Sequence, residues 1–257
     1  MSSTQPRAGS TRWAPDPGAA PWYRMVFSQA LFEVRTVLLH GEQLLLTAIL
    51  PALFLVVLSA TDVISLPLQP GQERIDLIAP GVLALAVISS AFTGPAIATG
   101  FDRRAGALRL LATTPLGRGG LLAGKVLGVA FVQVVQIVLL AGLAFALGWR
   151  PPLAGLALAA VPFAAGTAAF TALAMLVAGT LRTEAVLAGA NLLWVLMAIG
   201  GGVLLPTGAG WLPSAALGDG LRAAMSLELA TTGLCAAVLL AWAAVFTAAA
   251  LRWFRWH

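Results

Sequence analysis

Charge is what this chain has least of: only 10% of its 257 residues are Asp, Glu, Lys or Arg, against roughly a quarter in an ordinary soluble domain. That shortage excludes a soluble globular protein. Cysteine is nearly absent as well. With Cys235 alone, in the middle of an apolar run, no intrachain disulfide and no cysteine-based metal site can form. The two histidines, His40 and His257, stand far apart at the edges of apolar runs and read as solvated surface groups rather than ligands or catalysts. No GxxxxGK[ST] phosphate loop occurs, so the chain does not hydrolyse ATP by that route, and no HExxH, CxxC or GxSxG is present. Residues 1–21 are rich in Pro, Gly, Ser and Ala without an apolar run. They are expected to be a disordered tail, not a cleavable signal peptide.

What the chain has is apolar length. Hydrophobic residues make up 60% of it and the mean hydropathy is +0.93, the composition of an integral membrane protein. The net charge of +5 and pI near 11 raise the question of nucleic acid. The cations, however, sit at the ends of apolar runs and form no continuous stripe, which speaks against it. Arginine outnumbers lysine fourteen to one and alanine abounds, pointing to a GC-rich bacterial genome.

Residues 22–40 carry a helical period: Val26, Phe27, Ala30, Leu31, Val34, Val37 and Leu38 fall on one face, with polar edges on either side. This predicts an interfacial amphipathic helix anchored by Trp22, Tyr23 and its arginines. A span needs about 20 apolar residues, and six runs qualify: 43–60, 75–99, 121–147, 153–181, 185–205 and 227–251. The second is expected to break at Gly94 and Pro95. Residues 206–226 mix Trp211, Leu217 and Leu221 with several glycines, Asp219 and Arg222. The segment is too short to cross twice and is read as a re-entrant hairpin on the outer side. The predicted fold is therefore all-α: a polytopic membrane protein of six transmembrane helices, with the interfacial helix before them and the hairpin before the last.

The positive-inside rule orients the fold. Placing the tail, the connector 101–120, the Arg182 link and the C-terminus in the cytoplasm leaves only Arg74, Arg150 and Arg222 outside. Twelve cations then lie inside: Arg7, Arg12, Arg24, Arg35, Arg103, Arg104, Arg109, Arg118, Lys125, Arg182, Arg252 and Arg255. Both termini are expected to be cytoplasmic. Glu42, at the inner end of the first span, is expected to pair with an arginine of the interfacial helix.

Between the second and third runs, FDRRAGALRLLATTPLGRGGLLAGK concentrates Arg103, Arg104, Arg109, Arg118 and Lys125. Residues 104–111 can form a short surface helix, with Ala107, Leu110 and Leu111 facing the bilayer or neighbouring spans and the arginines facing water. Pro115 should end it, and Gly117, Gly119 and Gly120 should let the backbone turn into the next span. Polar groups within the spans are few. Gln133, Gln136 and Asn191 are candidates for a substrate path, although hydrogen bonding between helices is the commoner use of such residues. No acid lies at mid-membrane, so the chain is a poor carrier driven by protons or sodium.

The connector resembles the loop between spans two and three of type-2 ABC exporter permeases. The resemblance rests on Asp102, Arg103, Arg104, Gly106, Leu108, Leu111, Thr114, Pro115, Leu116, Arg118, Gly124 and Lys125, with Asp102 where Glu is commoner and Ala107 where Thr is. The architecture after residue 21 is similar too. The resemblance implies a permease that pairs with a second copy or a related permease, in a bacterial cell membrane, with two separate ATPases that bind the ATP and Mg. Asp102, Arg103, Arg104, Gly106, Leu108, Arg109, Thr114, Pro115 and Arg118 would then form the coupling segment resting in a cleft of the ATPase. The chain itself would be no enzyme and would hold no cofactor. Its substrate would be amphipathic or lipid-like: a drug, a glycolipid or a polysaccharide. An intramembrane lipid-modifying enzyme and a structural membrane subunit are the rival readings. The first lacks a convergent cluster of titratable groups, and ATP-stimulated transport by the reconstituted complex would set the second apart.

Overall fold

The computed structural model describes residues 20–39, 41–61, 68, 71–206 and 208–253. Among them the chain is helical without a strand. The expected tail 1–21 falls almost wholly outside the described residues, and so does the side chain of Glu42.

The helices are α1 Trp22–Leu39, α2 Gly41–Ala60, α3 Arg74–Ile88, α4 Gly94–Arg104, α5 Ala107–Ala112, α6 Gly117–Ala146, α7 Leu153–Thr180, α8 Thr183–Ile199, α9 Pro213–Met225 and α10 Leu229–Trp253. Among the described residues four helical stretches are long and apolar enough to cross a membrane: Arg74–Arg104, Gly119–Ala146, Leu153–Thr180 and Leu229–Trp253. At the first and fifth predicted runs the described residues give shorter apolar stretches, Ala48–Ala60 within α2 and Thr183–Ile199.

The central element is the stretch Arg74–Arg104, and here the structure departs from expectation. It does not break at Gly94 and Pro95. A proline removes one backbone donor and crowds the carbonyl four residues earlier. A widened π-turn, Ser89–Thr93, lies directly before Pro95, and α3 runs through it into α4. Ser90 uses its freedom there to donate its hydroxyl to the Ala86 carbonyl at 2.7 Å. Every residue of α3 from Ile75 to Ile88 is buried except Asp76, as a helix that is apolar all round should be. It is wrapped by α2, α6, α7 and α9.

The fifth run also ends early. α8 stops at Ile199, not at 205, because Gly200, Gly201 and Gly202 follow, with Gly202 at φ 73°, a conformation only glycine adopts freely. After the irregular residues 200–206 and 208–212, α9 lies against α3, α7 and α10 with Ser214–Gly218 and Gly220–Leu221 buried. Among the described residues the predicted hairpin 206–226 therefore contains a single helix.

Polar contacts fix α9 in place. Ser214 Oγ donates to the Gly201 carbonyl at 2.8 Å. Arg222 donates to Asp219 at 2.9 Å and to the Val203 carbonyl. Burial pushes the Asp219 carboxyl above the usual carboxylate range, against the pull of Arg222.

Close approach demands glycine at Gly218, where a Cβ would lie 2.7 Å from the Val203 carbonyl oxygen. Gly218→Ala is expected to destabilise the protein by about 1–3 kcal/mol, the usual cost of overpacking. Gly189→Ala meets nothing within 4 Å and should stabilise α8 by about 0.5–1 kcal/mol. Denaturant unfolding in detergent checks both, and equal effects would contradict the packing described.

Candidate functional site

The connector between α4 and α6 is built from two turns and one six-residue helix. α4 runs on to Arg104, so Asp102, Arg103 and Arg104 belong to its last turn and not to a separate surface helix starting at 104. The two arginines sit where the negative end of the helix dipole favours cations. Gly106 at φ 79° and Gly117 at φ 66° make the turns on either side of α5. Nothing lies within 4 Å of where a Cβ would stand at either glycine, so both are required for backbone conformation and not for close approach. Gly119 and Gly120 are already helical, in the first turn of α6. α5 stops before Pro115: Thr113 donates both its N–H, at 3.2 Å, and its hydroxyl, at 2.7 Å, to the Leu110 carbonyl.

On α5 the residue packed against the neighbouring helices is Leu108. Leu108 is 1% exposed and joins a small core with Val26 of α1, Leu116, Leu121 and Leu122 around the start of α6, Met175 of α7 and Ala250 of α10. Leu110, expected to face the bilayer or the spans, is 73% exposed. The connector is thus anchored by one leucine and presents another outward. Thr114 and Pro115 are exposed in the turn that follows. The side chains of Arg109, Leu111 and Arg118 lie outside the described residues.

A second link is stapled to this connector. Arg103 donates to the Leu181 carbonyl at the end of α7. Arg104 pairs with Glu184 of α8 at 2.9 Å, and Thr183 donates its hydroxyl to the Gly100 carbonyl at 3.1 Å. Neither arginine is merely a solvated loop cation. The link 181–184 and the end of α4 form one platform.

Lys125 is the largest correction. The sequence places it among the basic residues of the connector, whereas it is 2% exposed, more than two turns inside α6. A buried ammonium must be paired. Lys125 Nζ lies 2.7 Å from Glu33 of α1 and 3.9 Å from Asp102 of α4. Gln29 donates to the same Glu33 carboxylate at 2.8 Å. α1 can come this close because Gly124 and Gly128 carry no side chain: a Cβ on them would meet Gln29 and Glu33 at 2.6 and 2.7 Å.

The candidates for a substrate path do not converge. Gln133 is fully buried and donates to the Val87 carbonyl and to Ser90 Oγ, both at 3.0 Å, beside the π-turn. It accepts from the Thr167 hydroxyl at 2.6 Å. It therefore knots α3, α6 and α7 together, which is the interhelical use. Gln136 is buried on the same helix. Asn191 stands on the exposed face of α8 and donates to the Leu187 carbonyl of its own helix at 2.9 Å. Glu33 and Glu184 are the ion-pair partners of Lys125 and Arg104 that sequence reasoning missed. Glu33 stands mid-way along the amphipathic stretch 22–40, and Glu184 directly precedes the fifth apolar run.

A family model described as "ABC-2 family transporter protein" matches residues 58–252. A search among curated proteins finds no match for the chain.

Proposed function

The chain belongs to the ABC-2 family of transporter proteins, and on that premise we propose that it is the permease of an ATP-driven exporter moving an amphipathic or lipid-like substrate outward. A drug, a glycolipid or a polysaccharide fits this description. Membership makes the chain a multi-pass membrane subunit of an ABC transporter, a class that is generally not catalytic itself and works with ATP-binding-cassette ATPases.

The observation that carries the proposal is the connector. α5 is held by Leu108, presents Leu110 outward and is joined by the short Gly106 turn to α4, the helix that leads through the π-turn into the buried centre. A push on α5 would therefore reach the middle of the helix bundle. The coupling segment would comprise Asp102, Arg103, Arg104, Gly106, Leu108, Arg109, Thr114, Pro115 and Arg118. Two ATPases, binding ATP and Mg, would press on it and on its counterpart in a second permease. That second permease, the same chain or a related one, would cover the exposed apolar faces of α2 and α8, among them Leu53, Val57, Leu192 and Leu196, and would bring Asn191 to the path.

α2 and α8 would complete six spans in a bacterial cell membrane, with both termini cytoplasmic and α9 re-entrant from the outside. In a Cys235→Ala background, a cysteine at Glu228 is expected to react with an impermeant thiol reagent in intact cells. One at Leu110 should stay protected until the cells are opened. The decisive experiment is ATP-dependent transport in proteoliposomes by the permease with its ATPase, expected as an assembly of two permeases and two ATPases. Transport by one permease with one ATPase would contradict the assembly. Labelling at Leu110 alone in intact cells would reverse the orientation.

A further inference from the structure

Between α1, α4 and α6, beside the π-turn, lies a cavity of about 160 Å³. Its walls are mostly apolar, formed by Phe32, Val37, Pro95, Ala98, Val129 and Val132, and its polar end is formed by Glu33, Asp102 and Lys125. That end carries two negative charges and one positive. Lys125 gives its short contact to Glu33 at 2.7 Å, and Gln29 donates to Glu33 as well. Asp102 stands 3.9 Å from the ammonium, beyond the roughly 2.7–2.9 Å of a charge-assisted hydrogen bond. Of the adjacent cations, Arg104 is neutralised by Glu184, whereas Arg103 donates to the neutral Leu181 carbonyl and keeps its charge. Asp102, half-exposed, thus keeps a carboxylate without a short contact at the wall of an apolar cavity.

We propose that this cavity binds the ammonium head of an amphipathic cation, with Asp102 as its counter-ion. An anion would meet two carboxylates and a lysine already paired, and a neutral head would gain no ion pair with Asp102. The volume is below the roughly 300–1,000 Å³ that encloses a drug-sized ligand. The cavity therefore takes a trimethylammonium or aryl ammonium head and leaves the tail in the bilayer. Its lining includes Ser90, Pro95 and Ala98, so an occupant would sit against α4 and the π-turn. The inference rests on the exporter reading only in calling the ligand a substrate, since binding is measured without ATP.

The test is equilibrium binding of radiolabelled decyltrimethylammonium to the full chain in phosphatidylcholine nanodiscs. Saturable binding is expected, displaced by the unlabelled cation and not by decyl sulfate. Asp102→Asn should weaken it about tenfold or more, the loss of one charge-assisted contact. Ala98→Leu fills the cavity without altering a charge and should weaken it similarly, so the test holds even if the Asp102 variant misfolds. Equal displacement by decyl sulfate overturns the proposal, as does unchanged binding in well-folded Ala98→Leu protein. If binding fails in a complex that still exports other compounds, the site is wrong and the exporter assignment stands. Saturable, Asp102-dependent binding without any ATP-dependent transport supports the site and removes that assignment.

Discussion

Lys125→Met is expected to destabilise the protein by about 3–5 kcal/mol, because removing one partner of a buried ion pair leaves an uncompensated charge. Glu33 would keep only Gln29 as a hydrogen-bond partner among the contacts that now hold it. The consequence should be local first, since α1 packs on α6 at this point through Val26 and Ala30, which are buried beside Gly124 and Gly128. Adding Glu33→Gln removes the stranded charge and should recover a substantial part of the loss. The double mutant, measured by denaturant unfolding in detergent with both single mutants, isolates the pair. Additive effects would mean that Lys125 and Glu33 do not depend on one another. A wild-type-like Lys125→Met protein would mean that the lysine is solvated, as the sequence first suggests.

Leu110→Asp is expected to lower ATP-dependent transport about tenfold or more while leaving the fold intact. Leu110 is exposed in the isolated chain, so its replacement costs the bundle little. If it enters a groove on the ATPase, burying a leucine contributes about 1.5–3 kcal/mol, and each 1.4 kcal/mol is a factor of ten. Arg104→Glu should act less directly, since Arg104 already pairs with Glu184 and both side chains are mostly exposed, a contact of about 0–1 kcal/mol. The exchange Arg104→Glu with Glu184→Arg should restore most of whatever Arg104→Glu loses. Arg150→Gln serves as the control from the predicted opposite face. Arg150 caps α6 through the Phe145 carbonyl at 2.7 Å, and glutamine keeps a donor there. Full transport and retained ATPase binding by Leu110→Asp would show that α5 is not the docking element.

The sequence by itself determined the elements whose causes are local. Apolar runs, their proline and glycine punctuation and the amphipathic stretch 22–40 located α1, α6, α7 and α10 to within a few residues. The connector was legible because turns need particular residues: Gly106 and Gly117 do adopt positive φ, and Pro115 does follow the end of α5. Gln133 was legible as a choice of two uses, and the partners on α3 and α7 decided for the knot between helices.

Only the tertiary structure settled what depends on distant partners. Pro95 reads as a break, yet a π-turn absorbs it, and α3, buried on nearly every side, runs on into α4 as one column. A six-residue helix is too short for its period to separate Leu108 from Leu110. The choice between them was made by Met175 and Ala250, far away in the chain. Lys125 reads as one more inside cation because a sequence shows charge but not depth. Its burial is possible only because two glycines admit α1, and with α1 comes Glu33, 92 positions earlier, to share the charge.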